Sequence, residues 1–137
     1  MKFKLVILLT LITLIGYSQE PSVTSPKILI KVRLGESILL EEHTIKFVEV
    51  LEDSRCPKDA NCIWAGSAKI LIEISSEGTE TIQKEIIFGK VNSNESDDLF
   101  VVNTPLKKAS AYQLNPYPSS EDNSDTKKYV LLVAVEN

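Results

Sequence analysis

Cysteine, histidine and tryptophan are scarce in this chain of 137 residues, which has two cysteines, one histidine and one tryptophan. A zinc site needs three or four closely held nitrogen and sulfur ligands, and Cys56, Cys62 and His43 are the chain's whole supply. His43 follows Glu41 and Glu42 in an expected turn, so a hydrolytic triad has no well-placed imidazole. We therefore expect no metal site, no cofactor and no histidine-based catalysis.

Positive charge is also in short supply, and it is dispersed along the chain. The sequence has 15 lysines and arginines against 19 acidic residues, a formal net charge of -4. Nucleic-acid binding requires clustered basic side chains, so nucleic acids and anionic membrane surfaces are poor candidate partners. The five glycines lie far apart, which argues against a glycine-rich loop that cradles phosphate.

Long apolar runs are missing except near the start of the chain. Residues 1–18 begin with lysines, continue with an apolar run over 5–15 and end in small residues, the three-part pattern of a secretory signal peptide. This run is shorter than the roughly 20 residues that a membrane-spanning helix needs. We predict cleavage before Gln19, a flexible leader over 19–26 and a single domain over 27–137 without a membrane span. The predicted location is outside the cytosol, either periplasmic or extracellular.

Apolar and polar residues alternate along most of the remaining chain, which is the pattern of strands with one face on a core. Such runs lie at 28–34, 68–74, 82–88 and 129–135, with shorter ones at 37–40, 98–102 and 110–114. Between residues 44 and 52 the alternation changes phase, which predicts a bulge near Phe47 to Glu49 or burial of both faces. No apolar stripe has helical spacing. We predict an all-β fold, a single antiparallel β-sandwich of about seven or eight short strands, with a small barrel as the alternative.

The segment Leu114–Pro118 contains two prolines, neither of which can donate a backbone hydrogen bond to a central strand. We therefore predict that the chain turns there at a sheet edge. Tyr117 is then either packed on the rim of the sheet or exposed as an aromatic contact.

The two cysteines favour a disulfide, because an even number of closely spaced cysteines is typical of exported domains. The Cys56–Cys62 spacing differs from the two-residue spacing of a dithiol redox pair, so we do not expect redox catalysis. Pro57 fixes one backbone dihedral directly after Cys56, and Gly66 can supply a positive one. Residues 53–66, here called the cysteine loop, are expected to form a rigid connection between two strands.

The cysteine loop also carries a distinctive motif. It begins Asp53-Ser54-Arg55-Cys56-Pro57 and, after four residues, continues Cys62-Ile63-Trp64-Ala65-Gly66. This resembles a family of small exported bacterial proteins that share an Asp-Ser-Arg-Cys-Pro, Cys-x-Trp-x-Gly signature inside an otherwise variable β-rich chain. The resemblance is confined to this loop, the preceding strand and a late turn at Leu114–Pro118. It implies export and a β-fold, and no activity is carried over from it.

Two interpretations of the cysteine loop follow. In the structural one, the disulfide and Trp64 close one end of the sandwich, while Asp53 and Arg55 pair with each other or cap backbone groups. In the functional one, the closed loop is a preorganised contact surface. The candidate binding residues of the loop are Asp53, Arg55, Lys58, Asp59, Asn61 and Trp64. The exposure of Trp64 distinguishes the two interpretations.

The absence of a catalytic constellation favours a non-enzymatic binding or accessory module whose contact surface includes residues 53–66. The expected partner is another exported protein or an envelope component. One alternative is a protein inhibitor or immunity factor against a secreted enzyme, and another is a structural envelope component. A third is a small hydrolase whose catalytic carboxylates cannot be paired from the sequence.

Overall fold

Eight antiparallel strands form the fold in the computed structural model, which describes residues 26–89, 99–121 and 128–136. In chain order the strands are β1 (Ile28–Arg33), β2 (Ser37–Leu40), β3 (His43–Asp53), β4 (Ala68–Ser76), β5 (Ile82–Phe88), β6 (Phe100–Asn103), β7 (Lys108–Asn115) and β8 (Val130–Glu136). The predicted signal peptide over 1–18 and the leader up to residue 25 lie outside the described residues.

The strands are divided equally between two sheets. One sheet has the order β1-β8-β7-β6 and the other has the order β2-β3-β4-β5, with antiparallel pairing throughout. The predicted all-β antiparallel sandwich is therefore confirmed. The barrel alternative is wrong because the sheets do not close on each other. Across the described ranges, no helix is long and apolar enough to cross a bilayer.

The core lies between the two sheets and is built from the alternating apolar residues of the inner strands. Phe47 of β3, Ile70 and Ile72 of β4, and Leu131 and Val133 of β8 are all fully buried. Burial of this apolar area is the main favourable term for a domain of this size, at about 25 cal/mol per Å². The alternation predicted for the segments at 68–74 and 129–135 is confirmed.

The outer strands follow the predicted alternation only in part. In β1, Val32 is buried, whereas Ile28 and Leu29 are both largely exposed. In β5, Ile86 is buried and Ile82 is exposed. Both strands pair on one side only, so their ends lie outside the buried core.

Strand β3 contains two irregularities that position the cysteine loop. The register against β4 shifts between Phe47 and Glu49, as predicted, and again between Val50 and Glu52. Phe47 lies opposite Ile72, and a regular ladder would place Leu51 opposite Ala68. The two extra residues place Asp53 there instead, so the last residue of β3 has its carboxylate at the buried end of the sandwich.

The predicted turn at Leu114–Pro118 begins later than expected, and its predicted position at a sheet edge is wrong. β7 is an inner strand between β8 and β6, and its pairing with β8 continues to Asn115, which lies opposite Val130. The chain leaves the sheet at Pro116 through a cis Asn115–Pro116 peptide bond. An inner strand tolerates these prolines because both follow its last paired residue.

Candidate functional site

The cysteine loop begins as an extension of the β3–β4 pair. The Ser54 backbone N–H donates to the Ser67 carbonyl at 2.8 Å, and the Cys56 N–H donates to the Ala65 carbonyl at 2.7 Å. Gly66 has a positive φ of 69°, and a Cβ atom there would overlap the carbonyl oxygen of Ser54. Only glycine fits this close approach of two backbones, so the stem of the loop depends on Gly66.

The centre of the site is an ion pair between Asp53 and Arg55. Arg55 Nε donates to Asp53 Oδ1 at 2.7 Å and Nη2 donates to Asp53 Oδ2 at 2.8 Å, a two-pronged arrangement. The side chain of Asp53 is only 7% exposed and that of Arg55 only 8%. They pair with each other, one of the two arrangements that the structural interpretation expected. Because they lie beneath the surface, they are not part of an exposed contact face.

The same arginine connects the two sheets. Its Nη1 donates to the Leu114 carbonyl at 2.8 Å, and its Nη2 donates to the Pro116 carbonyl at 3.0 Å. On the other side, the Tyr129 hydroxyl donates to Asp53 Oδ2 at 3.0 Å. We call this set of contacts around Asp53 and Arg55 the Arg55 latch. It joins the end of β3 to the end of β7 and to the residue that precedes β8.

The latch sets the protonation state of Asp53. Burial alone would raise the pKa of the Asp53 carboxyl. The hydrogen bonds and positive charge of Arg55, together with the Tyr129 hydroxyl, outweigh that effect and hold the pKa below its usual value. Asp53 is therefore an ionised partner of Arg55 at neutral pH and is not poised to act as a general acid.

Beyond the latch, the loop is attached to the segment that follows β7. The Lys58 N–H donates to the Pro118 carbonyl at 3.0 Å, and the Asp59 carboxylate accepts hydrogen bonds from the Ser120 backbone N–H and hydroxyl. These bonds lower the pKa of Asp59 below its usual value. Asp59 is thus a fastening point for the loop as well as a surface residue.

The predicted disulfide between Cys56 and Cys62 is confirmed, with their Cα atoms 6.0 Å apart. It closes a ring over residues 56–62. We call residues 60–64, which comprise the end of this ring and the two residues after it, the loop tip. Ile63 and Trp64 at the tip are 92% and 80% exposed. Trp64 therefore does not close one end of the sandwich.

The six candidate binding residues fall into two groups. Asp53, Arg55 and Asp59 have structural partners within the protein, whereas Lys58, Asn61 and Trp64 have exposed side chains. Ile63 was missed as a candidate. Its signal in the sequence was a large apolar residue next to Trp64 in a segment of otherwise turn-forming residues.

A groove of about 280 Å³ lies beside the stem of the loop. Its walls include Ala65 of the loop, Phe88 at the end of β5, and Tyr112 and Tyr117 from the end of β7 and its turn. The register of β7 against β8 shifts between Ala111 and Gln113, and the side chains of Tyr112 and Gln113 are both exposed. The Arg55 guanidinium lies 4.9 Å from the Tyr117 ring centroid, and Tyr117 is 44% exposed on the rim.

No protein-family model, curated protein or solved structure matches this chain. The geometry of the site itself shows its chemical character. It combines a buried, charge-neutral pair, a closed loop and two adjacent large apolar side chains in water. Such an arrangement is suited to holding a contact surface in place.

Proposed function

We propose that this chain is a non-enzymatic binding module whose contact surface is centred on the loop tip. The observation that carries the proposal is the exposure of Ile63 and Trp64 side by side on a restrained loop. Large apolar side chains are costly to keep in water, and burying them against a partner is favourable by about 25 cal/mol per Å². Tryptophan is also among the residues that most often dominate binding energy.

The restraints on the loop support binding as much as the apolar tip does. A flexible loop loses conformational entropy when a partner orders it, and that loss weakens binding. Here the disulfide, the Arg55 latch and the Asp59–Ser120 contact restrict the loop before any partner arrives. The inward-facing Arg55 thus contributes to binding by positioning the tip, without touching the partner.

We further propose that the protein is exported to the periplasm or the exterior and that its partner is another exported protein or an envelope component. The disulfide supports this location because such bonds persist in oxidising compartments. The signal-peptide pattern over residues 1–18 and the resemblance of the loop motif to a family of exported bacterial proteins support it as well.

The test is a comparison of exposed apolar residues at opposite ends of the molecule. Trp64→Ala and Ile63→Ala remove the tip side chains, whereas Leu106→Ala removes another largely exposed apolar side chain, a leucine that is 74% accessible, from the β6–β7 turn. The bait is each purified variant, cross-linked to the exported proteins of the producing cells and analysed by quantitative mass spectrometry.

We expect the tip variants to lose a partner that the wild type and Leu106→Ala both retain. Truncation of a central tryptophan typically costs at least about 2 kcal/mol, or roughly 30-fold in affinity. Equal capture by the wild type and both tip variants would refute the proposal.

A further inference from the structure

The restraints on the cysteine loop act on two different parts of it. The stem is held by backbone hydrogen bonds, two of which join Ser54 to Ser67 and Cys56 to Ala65, and by the Arg55 latch. None of these contacts involves a sulfur atom. The body of the sandwich is likewise independent of the disulfide, because its buried core contains neither cysteine.

The loop tip is held differently. Among the described residues, the polar and covalent contacts of residues 60–64 are the disulfide at Cys62, a hydrogen bond from the Ala60 N–H to the Pro57 carbonyl at 3.1 Å, and an approach of 3.7 Å between the Ala60 carbonyl oxygen and Cys56 Sγ. The side chains of Ile63 and Trp64 add little packing because they lie in solvent. Residues 62–64 are thus held at one end by the disulfide and at the other by the chain itself, through Ala65 of the stem, whose carbonyl accepts a hydrogen bond from the Cys56 N–H.

From this division of restraints we propose that the disulfide is a redox switch for the loop tip, an inference that rests on the proposed function of the tip. In the oxidised protein, Ile63 and Trp64 are held in one arrangement and bind their partner. In the reduced protein the tip is released, while the Arg55 latch and the two sheets remain intact.

The reductant is a dithiol, either the active site of an exported thiol–disulfide oxidoreductase or a small-molecule dithiol. Cys62 is the exposed half of the bond and Cys56 is partly buried. The first thiolate of the dithiol attacks Cys62 Sγ, forming a mixed disulfide and releasing Cys56 as a thiolate, which takes up a proton. The second thiolate of the dithiol then attacks the dithiol sulfur that is bonded to Cys62 in the mixed disulfide. This releases Cys62 as a thiolate, which also takes up a proton. The dithiol becomes a disulfide, and the protein gains two electrons and two protons.

The test uses the wild-type protein with and without dithiothreitol, which acts on a single bond because the chain has two cysteines. Complete reduction is verified by alkylation and mass measurement. Mobility of the tip is followed by the fluorescence anisotropy of Trp64, the sole tryptophan, and by the rate of chymotryptic cleavage after Trp64. The sheets are followed by far-ultraviolet circular dichroism. A Cys56→Ser/Cys62→Ser variant repeats the measurements without reductant.

We expect reduction to lower the anisotropy of Trp64 and to raise the cleavage rate on the order of tenfold or more, with the strand signal unchanged. The variant should match the reduced protein. Unchanged anisotropy and cleavage would overturn the switch, and so would loss of the strand signal together with the tip, since the bond would then hold the whole fold. These readouts need no partner, so they separate the switch from the proposed function.

The effect on binding is measured with the partner captured by the wild type, using Leu106→Ala as the control for both redox states. We expect binding by the reduced protein to be weaker on the order of tenfold, because the partner must then order the tip. Equal affinity of the oxidised and reduced proteins would overturn the regulatory claim. Failure of the proposed function shows itself separately, as capture that is insensitive to Trp64→Ala in the oxidised protein.

Discussion

A few single residues at the base of the cysteine loop hold the loop in its position against the sandwich. Arg55 directs four of its hydrogen bonds into the protein, two to Asp53 and two to carbonyl groups at the end of β7. A buried ion pair gains little net free energy over apolar packing, because both charges lose their hydration. The value of the pair lies in its fixed direction, which holds the loop stem against the opposite sheet.

Removing Arg55 should be costly because it leaves Asp53 buried without its partner. We expect Arg55→Ala to reduce the free energy of unfolding by about 3–5 kcal/mol. Arg55→Lys should recover only part of this, since an ammonium group cannot reproduce the two-pronged contact. Lys58→Ala, whose exposed side chain lies in the same loop, is the control and should change stability by less than about 0.5 kcal/mol. Urea unfolding measures all three, and near-equal midpoints for Arg55→Ala and wild type would contradict the latch.

The latch also predicts how stability depends on pH. The pKa of Asp53 is lower in the folded protein than its usual value of about 3.9, so the folded state favours the ionised form. The resulting stabilisation is fully present above the unfolded pKa and is lost as the pH falls through the folded pKa. The stability gap between wild type and Asp53→Asn should therefore shrink as the pH is lowered below about 4. A gap that stays constant between pH 7 and pH 2 in urea titrations would speak against an ionised Asp53.

Gly66 is the second residue on which the loop stem depends. Gly66→Ala combines a positive φ with overlap against the backbone of Ser54, where a Cβ would lie 2.7 Å from the carbonyl carbon. Gly35→Ala is the matched control, because Gly35 also has a positive φ but its Cβ would meet open space. We expect a loss of about 1–2 kcal/mol for Gly35→Ala and a clearly larger loss for Gly66→Ala, measured by thermal unfolding. Similar losses in the two variants would show that the close approach to Ser54 is absent.

At the scale of elements, the alternation of apolar and polar residues predicted burial well for strands that pair with another strand on both sides. The segments that became β4 and β8 are inner strands, so their apolar residues point into one core. The phase change after Phe47 correctly indicated a bulge. The second register shift in β3, between Val50 and Glu52, depends on pairing with β4 and leaves no separate mark in the sequence. It is this shift that completes the placement of Asp53 at the core.

Lys84 interrupts the apolar face of β5, and the structure gives the reason. Its Nζ donates to the Phe100 carbonyl of β6 at 2.6 Å, which ties the edges of the two sheets together. We expect Lys84→Met, which keeps the length of the side chain, to lower the free energy of unfolding by about 1.5–3 kcal/mol. Lys69→Met is the control because the Lys69–Glu85 pair lies on the surface and should contribute about 1 kcal/mol or less. Equal losses of unfolding free energy for the two variants in urea would refute the role of Lys84 in joining β5 to β6.

At the scale of the whole molecule, the sequence predicted the architecture and the disulfide but only part of the site. Alternation and turn residues are local signals, and two cysteines allow one pairing. The latch, in contrast, joins Arg55 to Leu114 and Pro116 across separations of 59 and 61 residues, and Asp53 to Tyr129 across 76. Such contacts arise from the packing of the two sheets, which no local pattern encodes. The sequence therefore left two alternatives for Arg55, a structural pair with Asp53 or an exposed contact, and the structure shows the pair.

The molecule thus separates a buried base from an exposed tip within one short loop. The base is polar, internally satisfied and shared between the two sheets. The tip is apolar and faces water. The proposed binding function and the proposed redox switch both require this separation, because each needs the tip to change its surroundings while the base stays in place.

The central claim is that the indole of Trp64 is exposed to water at the loop tip of the folded protein. It is tested most directly by the fluorescence of Trp64 in the native oxidised protein. Since the chain has one tryptophan, its emission reports this position alone. We predict emission at the wavelength of a water-exposed indole and acrylamide quenching close to that of the urea-unfolded chain. Blue-shifted emission with weak quenching, which would mean that Trp64 is packed inside the protein, would contradict the account.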